Sequence, residues 1–340
     1  MSAQLAHIPT VSTLPLASAP ALRPSLTGQR SSRRVEFGPK YGGGSRGVEV
    51  SYLWHGAPDA PTIIVQGGIS ADRDVLTPDG SERAGWWQAL VGEGRALDLR
   101  RYRVLSINWL APTDLGEVSS VSSEDQANAL GALVDALGIG RVAAFIGSSY
   151  GAMVALSFAA LHPAKVERLV LLAGAHRAHP ISTALRSVQR GIVRLGQSSG
   201  QLGEALSLAR QLAMTTYRGS DEFARRFAGA PELREDRFHF PVEDYLDQAG
   251  RRFVDRFDAE RFLALSESID LHDVQPEAVP TPATLIGFPS DRLVPLADLC
   301  ELQRRLQGPA TLEVVESAFG HDGFLKETDR LAPLLRQALI

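Results

Sequence analysis

The stretch "RVAAFIGSSYGAMVALSFAALHP", residues 141–163, decides the fold. An apolar run ends in Gly147, Ser148, Ser149, Tyr150 and Gly151, and a run of alanines and leucines follows. Strand preference gives way to helix preference within a few residues. Gly147 and Gly151 frame Ser149 as G-x-S-x-G, whereas Ser148 has no glycine pair at those distances. In such a frame the serine sits on a sharp strand-to-helix turn that lifts its oxygen above the sheet edge. The glycines leave out Cβ atoms where neighbouring chain must come close. The helix that follows points free N–H groups at the same place and favours negative charge there. Ser149 is therefore the candidate nucleophile.

Outward from this turn, short β-branched or apolar runs recur: "GVEVSYLWHG" (47–56), "APTIIVQGG" (60–68), "YRVLSINWL" (102–110), "VERLVLLAG" (166–174), "ATLIGF" (283–288) and "ATLEVVES" (310–317). Amphipathic stretches separate them, such as "SSEDQANALGALVDALGIG" (122–140), with Ser and acids at its start and Gly at its end. Strands separated by helices of this length predict βαβ units and a mostly parallel sheet, an α/β fold. The pattern breaks over 176–274, where the text is rich in Arg and acids and shows no convincing buried strand. A helical cap is expected there, inserted into a core made of 35–175 and 275–340. Residues 1–34, rich in Pro, Ser and Ala and without an acid, are expected to be a disordered tail. The tail lacks a continuous apolar segment, so a cytoplasmic protein is expected.

Composition narrows the function. Hydrophobic residues are 44% of the 340 and charged residues 22%, enough for a large core. A formal net charge of −4 gives no electrostatic reason to expect nucleic acid or an anionic membrane as partner. No run approaches the ~18 apolar residues of a membrane span. The single cysteine, Cys300, excludes a disulfide framework and a Cys-rich metal site, and no metal is expected.

A serine hydroxyl needs a base, usually His, and the His needs an orienting carboxylate. After a G-x-S-x-G elbow the chain order is Ser, Asp or Glu, then His. His176 and His179 follow the strand after the elbow and are within range of the site. His321 follows the last strand in the loop "AFGHDGFL", where the base belongs. Asp291 follows the preceding strand in "ATLIGFPSDRLVP", where the carboxylate belongs. An oxyanion formed at Ser149 needs N–H donors. The backbone of Tyr150, next to the nucleophile, is one; Ile69, after the Gly67–Gly68 turn, is the candidate for the other.

These residues, with several longer motifs, resemble the homoserine O-acyltransferases of the α/β-hydrolase superfamily, the MetX-like enzymes of methionine biosynthesis. "GWWQALVGEGRALDLRRYRVLSIN" (85–108) looks like the family's Gly-Trp-Trp segment and the turn after it. "LARQLAMTTYRG" (208–219), "VEDYLDQAGRRFVDRFDAERFLALSESID" (242–270) and "FGHDGFL" (319–325) are similar to three further family motifs. The resemblance runs from about residue 48 to the C-terminus. It implies an α/β-hydrolase fold, with Ser149, Asp291 and His321 as catalytic triad. It also implies that Arg210 and Asp322 bind the substrate: homoserine is a zwitterion, and Arg210 suits its carboxylate and Asp322 its ammonium. The co-substrate is an acyl-CoA, no cofactor stays bound, and a homodimer is expected. The chain departs from the family in the shortened segment "WLAPTDLGEVSSVS" (109–122), in Gly67 where a His is usual, and in "GSSYGA" at the elbow.

The acyl group is read less directly. A succinyl donor adds a carboxylate that needs a cation, and Arg73 and Arg292 are candidates. Leu293 stands where succinyl-using relatives often carry Arg. The reading favours succinyl slightly over acetyl. Serine as acceptor, or an esterase with the same triad, are the alternatives.

Overall fold

The computed structural model describes residues 28–340 apart from 79 and 117; positions 1–27 of the expected tail lie outside the described residues. The chain opens with an antiparallel pair, β1 (Gln29–Phe37) and β2 (Arg46–His55). Then come β3 (Thr62–Gln66), β4 (Arg103–Ile107), α1 (Ser123–Ala136), β5 (Ala144–Ser148), α2 (Tyr150–Leu161) and β6 (Leu169–Leu172). Next the chain leaves the sheet for α3 (Pro180–Ser199), α4 (Leu202–Tyr217) and α5 (Ser220–Arg226). A hairpin of β7 (Glu232–Arg234) and β8 (Arg237–His239) precedes α6 (Pro241–Val254) and α7 (Ala259–Asp270). The sheet resumes with β9 (Ala283–Gly287), followed by α8 (Leu296–Arg305), β10 (Ala310–Val314), α9 (Gly323–Lys326) and α10 (Thr328–Ala338).

Eight strands form one sheet in the order β1-β2-β4-β3-β5-β6-β9-β10. Pairing is antiparallel from β1 through β4 and parallel from β4 to β10. The central strands are apolar throughout because both faces are covered. In β5, Phe145 faces one core with Tyr150 and Phe158, while Ala144 and Ile146 face the other with Trp87, Leu331 and Leu335. The register places Gln66 beside Gly147, Gly147 beside Leu171, and Leu171 beside Leu285. The carboxyl ends of β3, β5, β6 and β9 are therefore level, and the loops leaving them converge. Ligands bind at such an edge in open α/β sheets.

The helices between β6 and β9 hold together on their own small core of Val193, Leu206, Phe253 and Phe262. Two features depart from the sequence reading. Residues 29–34, expected in the tail, belong to β1 and pair with β2 from Gln29–Trp54 to Arg34–Glu49. Only Val35 and Phe37 of β1 are buried, so this edge strand is held by backbone pairing and shows no apolar period. The inserted region also contains the β7–β8 hairpin, whose strands are three residues long and exposed except at His239. No described helix is long and apolar enough to cross a membrane.

Candidate active site

Ser149 has φ 55° and ψ −118°, a backbone state that costs a non-glycine residue about 1–3 kcal/mol. Its N–H donates to Leu172 O at 2.8 Å, and the N–H of Gly151 donates to Gly67 O at 2.9 Å. The two glycines are there for space. A Cβ on Gly147 would stand 2.2 Å from Gly151 O, and one on Gly151 would stand 2.3 Å from Gln66 O. The elbow is thus wedged between β3 and the start of α2, and the strain at Ser149 is held by its neighbours.

The hydroxyl meets the two groups that chain order predicts. Ser149 Oγ lies 2.8 Å from His321 Nε2, and His321 Nδ1 lies 2.7 Å from Asp291 Oδ2. The other carboxylate oxygen of Asp291 accepts the N–H groups of Leu293 at 2.8 Å and Val294 at 3.1 Å. Asp291 therefore accepts on both sides, so Nδ1 of a neutral His321 carries the proton and Nε2 is left to accept from Ser149 O–H. Burial alone pushes the imidazole's pKa down; the charge and hydrogen bond of Asp291, with help from Asp322, outweigh it, and the net shift is upward. Tyr217 and Phe324 flank the ring. Such a relay can deprotonate the hydroxyl as it attacks and return the proton to a leaving group. Of the histidines after β6, His179 accepts from Ile181 N–H at the start of α3, and His176 turns toward Glu301.

Gly68, Ile69 and Ser149 line one cavity of about 620 Å³. Trp109 Nε1–H donates to Gly68 O at 3.0 Å and so fixes the Gly68–Ile69 peptide. The Tyr150 N–H stands in the first turn of α2, where amides have no partner within the helix. The Tyr150 side chain turns into the core, its hydroxyl 2.6 Å from Ser268 Oγ, and burial raises its pKa.

The inserted helices close the cavity from above with Arg186, Gln189, Arg210, Met214, Tyr217 and Phe262. Among the described residues, seven cationic side chains but only two carboxylates, Asp298 and Asp322, line it. That excess stands out in a chain whose net charge is −4. The Arg210 guanidinium packs on two rings, 5.2 Å from Tyr217 and 4.8 Å from Phe253. Asp322 lies 3.0 Å from Arg218 Nε, close in charge but misaligned for a hydrogen bond. Burial raises the Asp322 pKa, and Arg218 only partly offsets it.

The profile of the alpha/beta hydrolase fold family matches residues 61–328. A homoserine O-succinyltransferase of Xanthomonas campestris pv. campestris is 46% identical over 296 residues, covering 87% of this chain and 80% of that protein. The chain belongs to the homoserine O-acyltransferase family. A homoserine O-acetyltransferase of Leifsonia xyli subsp. xyli is 34% identical over 301 residues, 76% of this chain and 75% of that one. Among solved structures, a homoserine O-acetyltransferase from Bacillus anthracis shares the fold with a TM-score of 0.82 at 19% identity, over 92% of this chain and 98% of that one.

Within this member of the family, three sequence-based candidates for acyl specificity separate. Leu293 lines the cavity; among the described residues that do so, Arg73 and Arg292 are absent. Arg292 is exposed because the tight turn alternates, sending Asp291 and Leu293 inward and Arg292 out. Arg73 is tied by its backbone, its N–H donating to Asn108 Oδ1 and its carbonyl accepting from Ser106 Oγ. The sequence reading missed Arg186 and Arg218, both on the cavity wall, and Trp109 behind the Ile69 loop. Arg218 stood inside the quoted "TYRG", beside residues already singled out. Arg186 had no such signal.

Proposed function

We propose that this protein transfers an acyl group from an acyl-CoA to the hydroxyl of L-homoserine, by a ping-pong route through an acyl-serine at Ser149, in methionine biosynthesis. The observation that carries the mechanism is the Ser149–His321–Asp291 relay, closed at 2.8 and 2.7 Å and facing a cavity roofed by helices. His321 takes the Ser149 proton while Oγ attacks the thioester carbonyl. The N–H groups of Tyr150 and Ile69 receive the oxyanion. His321 then protonates the departing thiolate. In the second half the acceptor hydroxyl gives its proton to His321 and attacks the acyl-serine; the bond to Ser149 Oγ breaks, and His321 returns the proton to that oxygen.

Arg210 and Asp322 clamp the zwitterion, carboxylate to guanidinium and ammonium to carboxylate. An esterase has no use for such a clamp. The core spans 29–175 and 275–340, its first strand included, and the cap 176–274 keeps water from the acyl-enzyme. Succinyl is the favoured donor, a reading supported by the cationic lining. No cofactor stays bound, and the enzyme works in the cytoplasm. It forms a homodimer, supported by Ile181, Val188 and Leu195, which are exposed at seven-residue spacing along α3.

The test is a steady-state assay of the purified full chain with L-homoserine and L-serine against succinyl-CoA and acetyl-CoA. Homoserine-dependent release of CoA is expected. Release that is indifferent to homoserine would mark a hydrolase instead.

A further inference from the structure

We propose that Arg186 on α3 binds the distal carboxylate of the acyl group, so that the cap, and not the loop after Asp291, selects a dicarboxylic half-thioester. This rests on the acyl-transfer reading above and adds the residue that sets donor choice.

Ser182, Leu185, Arg186 and Gln189 line the cavity from one face of α3, at the i, i+3, i+4, i+7 spacing of a helical stripe. Arg186 donates from Nε at 2.8 Å and from Nη2 at 2.6 Å to Asp270 Oδ1. Arg190 donates to Asp270 Oδ2 at 2.6 Å, and Thr183 Oγ–H donates to Oδ1 at 2.8 Å. One carboxylate thus serves two guanidinium ions, all three side chains at most 13% exposed. These three side chains together carry a net positive charge in a nearly dry wall. Arg190 also donates from Nη1 to Ser266 and from Nη2 to Ser187. Arg186 holds Asp270 through Nε and Nη2, and Nη1 remains for the cavity. Its orientation is set in advance, which suits it to a carboxylate.

The surroundings match a short chain that ends in an anion. Leu185, Ile269, Leu293 and Val294 line the cavity with Arg186 and give methylenes an apolar sheath. Ser182 Oγ–H donates to Leu293 O at 2.9 Å, tying α3 to the turn that also holds Asp291. Arg186 is near enough to the reacting centre that its charge opposes protonation of His321. The homoserine carboxylate has a separate partner in Arg210, on α4.

The experiment compares kcat/KM for succinyl-CoA, acetyl-CoA and butyryl-CoA, with homoserine saturating, in the wild type, Arg186→Gln and Arg186→Lys. Thermal unfolding is recorded for each. Butyryl has nearly the shape of succinyl without its carboxylate, so this arm needs no variant to fold. The wild type is expected to prefer succinyl-CoA to butyryl-CoA. Arg186→Gln is expected to lower the succinyl-to-acetyl ratio by about 10–100-fold, the scale of one lost charged hydrogen bond, and Arg186→Lys by less. Equal use of succinyl and butyryl by the wild type overturns the proposal. So does an unchanged ratio in Arg186→Gln, whether both rates fall, as for a mere strut of the cap, or neither does. If no donor acylates homoserine, the acyl-transfer reading fails and takes this inference with it. Homoserine acylation without carboxylate preference sinks only the role of Arg186.

Discussion

Arg218 Nε stands 3.0 Å from Asp322 Oδ2, so the carboxylate proposed to receive the acceptor's ammonium already has a cation of the protein beside it. Arg218 is shared with Glu222, whose Oε2 lies 3.3 Å from Nη1. Asp322 is therefore only partly neutralised and keeps capacity for a second positive charge. Burial pushes its pKa up, and Arg218 is the largest opposing influence. Only ionised Asp322 pairs with ammonium, so the KM for homoserine falls as pH rises through that pKa. In Arg218→Met the upward push is less opposed, and the midpoint of the KM profile should move to higher pH. An unmoved midpoint would separate Arg218 from acceptor binding.

The His321 shift gives a second pH prediction. Burial lowers this pKa, but Asp291 and Asp322 together raise it above the ordinary 6.5. The base must be neutral, so kcat/KM for the donor is lost at low pH and rises through a midpoint above that value. Asp291→Asn removes the main raising influence. The limb should shift downward and kcat should drop about 10⁴-fold, as when a triad carboxylate is replaced. A pH-rate profile with an unshifted limb would deny Asp291 its role.

Ser149→Ala should leave no acyl adduct on the intact protein after mixing with succinyl-CoA, as read by mass spectrometry. Its kcat should fall by at least ~10⁴-fold. An adduct that persists would place the nucleophile elsewhere.

Gly151→Ala should be among the worst single-methyl substitutions in the chain. The new Cβ would lie 2.3 Å from Gln66 O, a backbone atom that cannot rotate away. Overpacking of this kind costs about 1–3 kcal/mol, and the displaced elbow should also misplace the hydroxyl. Denaturant unfolding together with activity checks it; a fully active, equally stable variant would refute the wedge.

Trp87 Nε1–H donates to Phe324 O at 2.9 Å, joining the Gly-Trp-Trp segment to the helix just after His321. Trp87→Phe leaves that buried carbonyl unpaired and should cost about 1–3 kcal/mol. Urea unfolding measures the loss.

The parts legible in the sequence were those where one physical demand dominates. β3, β5, β6 and β9 read as apolar runs because both sheet faces are covered. Ser149, Asp291 and His321, which meet in the structure, could be nominated together because each follows a strand, and strand ends are easy to place. β1 was not legible: its side chains are mostly solvated Arg and Ser, and its information lies in the backbone of β2. Arg186 was hidden for a related reason. An arginine on an amphipathic helix reads as a surface residue until its helix is laid over the cavity and its partner, Asp270, arrives from α7.

The proposed base hangs on the rim of the sheet. β10, which leads to His321, is the terminal strand; among the described strands it pairs only with β9, and it is buried at no position. Edge pairing exchanges first with solvent, while the elbow sits on the protected central strand. On warming, the imidazole's support should loosen while the serine's stays firm. Catalysis should then fade at a temperature where far-UV circular dichroism still reports a folded chain.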